Sequence, residues 1–123
     1  MRTGKRLVIA LCMLGAFEPA FGAAAMAAQD AIATRVQTLL HANYAECGKL
    51  AVVDHVLTLE KRLGAYRAAH TKKELIYRIN ADLWVATKDR RVSVHEQTEP
   101  LPADTRRYAL GQGLDLYVPK NPP

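Results

Sequence analysis

Ser93 is the one serine in this chain of 123 residues. To act as a nucleophile it would need a base within about 3 Å and donors for a developing oxyanion. It stands between Val92 and Val94 with no glycine-rich turn to expose its oxygen. The nearest lysine, Lys88, is five positions back. Extended chain rises about 3.3 Å per residue, so the two meet only if the backbone doubles back. The inward valines are expected to turn Ser93 outward. Cys47 with an imidazole is the other nucleophile the composition allows. Nothing around it supplies that base, and it reads as an inert thiol, buried or partly so. His41, Cys47, His55, His70 and His95 follow one another at spacings of six, eight, fifteen and twenty-five. Zinc sites in small proteins present paired ligands roughly two to four positions apart. The expectation is no catalytic residue, no metal and no cofactor.

The charged and aromatic residues suggest contact rather than catalysis. Lys88, Arg90 and Arg91 form one basic cluster, and Arg106 and Arg107 another. Either would suit an acidic partner or lipid headgroups. Asp89, Glu96, Glu99 and Asp104 lie among them, so a mixed solvated surface is the simpler reading. No nucleic-acid partner is expected, because an exported protein rarely meets one and no aromatic residues interleave with the cations to stack bases. Trp84 shares a helical row with Tyr77 and Asn80, beside the Leu75, Ile79 and Leu83 stripe. It is expected to cover the edge of the core, with docking as its second role.

These residues must be positioned by a small set of elements. Ile32, Val36, Leu39, Leu40 and Tyr44 recur at helical spacing, which predicts a helix over 31–44 with Asp30 as its N-cap. Leu50, Val52, Val53, Val56, Leu57, Leu59 and Leu63 predict a second helix, closed by Gly64 in a left-handed cap. Thr71 and Glu74 form a capping box at the head of a third, over 72–87. Val92 and Val94 alternate with polar neighbours as a short strand, and Leu114, Leu116 and Val118 alternate with Asp115 and Tyr117 as another. Asp104 is expected to start one helical turn over 104–110, and 119–123 to fray. The fold class is therefore mainly α: a three-helix bundle with one or two short C-terminal β-strands.

The second helix carries more apolar surface than this bundle can cover. Its residues occupy well over half the circumference, and a three-helix bundle buries one such face. The surplus calls for a further packing layer or a partner. Trp84, Arg90, Arg91, Val52 and Leu59 make up the expected interaction surface.

The N-terminus reads as a secretory signal peptide over 1–27. Arg2, Lys5 and Arg6 precede the apolar run from Leu7 to Phe17, and Ala25-Met26-Ala27 fits the cleavage rule. Eleven apolar residues make about 16 Å of helix, roughly half a bilayer core, so no stable membrane span is expected after cleavage. Residues 1–27 hold three basic residues and one acidic, so their removal lowers the formal net charge from +5 to +3. Cys12 leaves with them, and Cys47 alone cannot make an internal disulfide. Residues 28–99 would then form the bundle and 100–123 a Pro-containing extension, in a periplasmic or secreted protein.

Order and spacing over 31–95 carry a resemblance. A first helix ends in Tyr44, a second leads into Gly64-Ala65-Tyr66, and Thr71-Lys72-Lys73-Glu74-Leu75 starts a third. Asp82-Leu83 sits late in it, and Lys88-Asp89-Arg90-Arg91-Val92-Ser93-Val94 makes the exit into a strand. This resembles the helical N-terminal domain of the tail-specific (C-terminal-processing) serine peptidases, in the branch that includes interphotoreceptor retinoid-binding protein. The exit in that family usually carries His where this chain has Arg91. The resemblance implies a three-helix bundle packed beside a separate protease core, whose Ser nucleophile and Lys base lie far downstream of the module. It carries over a scaffold and no catalytic residue. The expected function is an exported non-catalytic module acting through protein–protein contact, with a protein partner or a peptidase core, or a remnant of a longer peptidase. The alternative is a stand-alone periplasmic binder of a small apolar ligand or lipid.

Overall fold

The computed structural model describes residues 28–121. The signal-peptide reading and the last two prolines of the tail lie outside them. Helix α1 covers residues 28–43, α2 Cys47–Leu63 and α3 Lys72–Thr87. Strands β1 (Ser93–Glu96), β2 (Thr105–Gly111) and β3 (Leu114–Pro119) form an antiparallel sheet in the order β1-β3-β2. The mainly helical architecture with C-terminal strands is as the sequence led us to expect.

Local chemistry fixes the helix ends. Gly64, at φ 77°, closes α2, and the amides of Gly64 and Ala65 return to the carbonyls of Lys61 and Glu60, each at 3.0 Å. Thr71 Oγ1 accepts the Glu74 amide at 3.1 Å. The reciprocal arm differs from expectation by one residue, since the Glu74 carboxylate accepts the amide of His70 rather than of Thr71 (3.0 Å). Asp30 is not an N-cap. It lies within α1 and its carboxylate pairs with Arg67, because the helix already runs through residues 28 and 29.

Residues 105–110, expected in a helical turn, are strand. Asp104 turns the chain at φ 57°, and Thr105 to Ala109 then pair with Pro119 to Asp115. Pairing along β3 outweighs the local cap signal, as strand formation depends on its neighbours more than on its own residues. The sheet therefore has three strands, with β3 in the centre and Pro119 in register with Thr105 rather than frayed.

Val94, Leu114, Leu116 and Val118 join Val36, Leu40, Val53, Leu57, Ile79 and Leu83 in one core. The opposite face of β3 is covered as well. Asp115 and Tyr117 are buried, against the expectation from alternation. Arg107 pairs with Asp115, His95 stacks on Tyr117, and the Tyr117 hydroxyl donates to the Glu99 carbonyl at 3.1 Å. Asn80 of α3 closes the free edge of β1. Its Nδ2 donates to the Val94 carbonyl at 2.9 Å and its Oδ1 accepts the Val94 amide at 2.6 Å.

Candidate interaction surface

Helix α2 divides its apolar residues between two destinations. Leu50, Val53 and Leu57 are buried in the core, and Val56 packs at its margin. Val52, Leu59 and Leu63 remain 44, 41 and 70 % exposed. Positions 52, 59 and 63 fall on one side of a 3.6-residue helix, so the exposed residues form a stripe rather than a scatter.

Trp84 on α3 is half-buried. The Lys88 ammonium lies 5.4 Å and the Arg90 guanidinium 4.2 Å from its ring, both within cation–π range. Tyr77 and Val85 on the same helix are exposed as well. Arg91 is engaged elsewhere: its Nε and Nη2 donate to the two carboxylate oxygens of Asp89 at 3.0 and 2.9 Å. Tyr44 Oη donates to the same carboxylate. Burial pushes the Asp89 carboxyl up, but the guanidinium and amide of Arg91 outweigh it, so it ionises below its ordinary value. The pairing raises Arg91 in turn. Burial, followed by the Asp89 charge, pushes the Tyr44 phenol up to about 12.

A second tyrosine–carboxylate pair ties the α2–α3 connection to α3. Tyr66 Oη donates to Asp82 at 2.6 Å. Desolvation is the main cause raising both the phenol and the carboxyl.

The groups considered for catalysis lie mostly apart. Cys47 is exposed at the start of α2, not buried. His41 pairs with Asp54 at 2.6 Å. Among the described residues, no group of three His, Cys, Asp or Glu side chains is placed to hold a metal. Ser93 does have an imidazole beside it, which the sequence reading missed: its hydroxyl lies 2.6 Å from His95 Nε2. Spacing by two along a strand was the available signal, because residues i and i+2 share a face.

One cavity of about 260 Å³ opens between the start of α1, the head of α3 and the β2–β3 turn. Ile32, Ala69, Leu75 and Leu114 form its apolar floor, with His70 and Lys72 at the rim. No helix among the described residues is long and apolar enough to cross a membrane.

Residues 23–113 match the family described as the N-terminal domain of Peptidase_S41 in eukaryotic IRBP. The match takes in all three helices, β1 and β2. No curated protein and no solved structure matches the chain.

Proposed function

The chain belongs to the family of the peptidase S41 N-terminal domain, and from that premise we propose that it is an exported module without peptidase activity, acting through protein–protein contact. The observation that carries this reading is the exposed stripe of Val52, Leu59 and Leu63. Large apolar side chains gathered on one helix face are what a partner's apolar surface covers. Trp84, with Lys88 and Arg90 within cation–π range of its ring, supplies the aromatic and cationic chemistry enriched in such contacts. The module contributes a scaffold, and the chemistry of the family belongs to a peptidase core elsewhere.

A photoreactive residue placed at Leu63 in the living cell tests this. The expected result is a crosslinked protein adduct at Leu63 and none at an exposed polar control such as Gln112. Adducts of equal yield at both positions, or none at either, would sink the reading. N-terminal sequencing of the exported form should begin near Ala28, and an intact Met1 form retained in membranes would overturn the export component.

The cavity near Ile32 and Leu114 favours a second reading, a binder of a small apolar ligand. At about 260 Å³ it falls just short of the ~300 Å³ at which drug-sized sites begin, so contact through α2 is preferred.

A further inference from the structure

Ser93, His95 and Glu99 form a hydrogen-bonded relay on the face of the sheet turned away from the helices. Ser93 Oγ lies 2.6 Å from His95 Nε2, and His95 Nδ1 lies 2.7 Å from Glu99 Oε2. An ionised carboxylate only accepts, so in the neutral ring Nδ1 carries the hydrogen and Nε2 is left to accept from the serine hydroxyl. The ring is held in place from below. Tyr117 stacks on it at 4.1 Å with an interplanar angle of 18°, and the Tyr117 hydroxyl holds the Glu99 carbonyl at 3.1 Å. Ser93 is half-buried and the His95 side chain 28 % exposed, so a small ester can reach both.

We propose that Ser93 is a nucleophile toward activated acyl esters, with His95 as its general base and Glu99 as the residue that orients the imidazole. The substrate class follows from what the strand withholds. Val94 directs its amide and carbonyl to Asn80, so the amides of Ser93 and His95 point the other way, toward Tyr117 and Asp115 of β3. They are spent on the ladder and do not face an oxyanion. Peptide amides, which need both oxyanion stabilisation and a protonated leaving amine, are not substrates. Aryl esters lose a stabilised anion and need little of either.

The step is balanced within the relay. Ser93 Oγ bonds to the acyl carbon as its proton passes to His95 Nε2. The acyl–oxygen bond to the aryl group then breaks, and the aryloxide recovers that proton, leaving acyl-Ser93 and a phenol. No oxidant, reductant or metal is required. The relay shares no residue with the α2 stripe, so failure of either leaves the other standing.

The test is acetylation of the folded chain by p-nitrophenyl acetate, with the adduct located by peptide mapping. One acetyl group on Ser93 is expected in the native protein and none on Ser93 in urea, a comparison that needs no variant. His95→Gln should slow the labelling about a hundredfold, near the low end of what a positioned base supplies. Glu99→Ala should slow it as well, and Glu99→Gln, which keeps an acceptor, should restore part of the rate. Acetyl groups confined to lysines, or equal labelling of Ser93 in native and unfolded chain, would overturn the proposal.

Discussion

Tyr44 Oη donates to Asp89 Oδ2 across 3.3 Å and 45 positions of sequence, joining the end of α1 to the exit of α3. Arg91 grips the same carboxylate through its main-chain amide, Nε and Nη2. One buried acid thereby links the end of the first helix to the start of the sheet. Arg91 stands where the resembling family usually carries His. In the folded chain this guanidinium neutralises Asp89.

Asp89 should give the protein an acid limb. Its folded-state pKa is lowered, so its contribution is present above the unfolded carboxylate value and is lost as pH falls through the folded one. Asp89→Asn should cost about 1–3 kcal/mol near neutral pH, discounted because Arg91 is partly exposed. The gap from wild type should shrink in acid. Urea melts across a pH series check this, and a gap that stays constant would contradict it.

Tyr44 carries the opposite sign. Its phenol is raised from 10.0 to about 12. Its contribution is therefore complete below the unfolded value and is lost as pH rises through about 12. Tyr44→Phe should shift the alkaline unfolding limb upward, as followed by circular dichroism. Phenolate absorbance should appear at higher pH in the native protein than in urea for this residue. Coincident titrations would refute the assignment.

Neighbouring leucines on α2 should separate stability from contact. Leu57 is fully buried and Leu59 is 41 % exposed. Leu57→Ala should cost about 3 kcal/mol, whereas Leu59→Ala should cost about 0.5 kcal/mol or less while weakening partner capture at the stripe. Equal losses in thermal melts would mean the stripe is part of the core.

Thr71 holds the head of α3. Thr71→Ala should cost about 1 kcal/mol through the lost partner of the Glu74 amide, and Thr71→Ser much less. Urea midpoints of the two variants are the measurement. Indistinguishable midpoints would show that the side-chain cap does not stabilise the helix.

Peptide hydrolysis should be absent. The purified chain, incubated with unfolded peptides carrying apolar C-termini, is expected to release no fragment, with or without Ser93→Ala. Fragments that disappear in the variant would require oxyanion donors that the strand does not offer.

Much of this protein is decided within short windows of sequence. Apolar spacing of three and four places α2 and α3, while the choice of Leu50, Val53 and Leu57 as the buried set of α2 is made by packing. Gly64 and Thr71 fix the adjoining helix ends because their chemistry acts on amides a few residues away. The excess of apolar residues on α2 was equally legible, since a helix has only so much circumference to bury. Tertiary structure alone decided the rest. Thr105 to Gly111 became a strand through pairing with β3, and Asp115 and Tyr117 became buried because Arg107, His95 and the 97–104 connection close over them. Ser93 and His95 share a face by strand periodicity, but Glu99 reaches the imidazole only after the chain turns beyond β1. Asp89 meets Tyr44 only when α1 packs beside the exit of α3. Local rules act over a turn of helix or a pair of strand positions, whereas these contacts join segments whose approach is set by packing of the whole core.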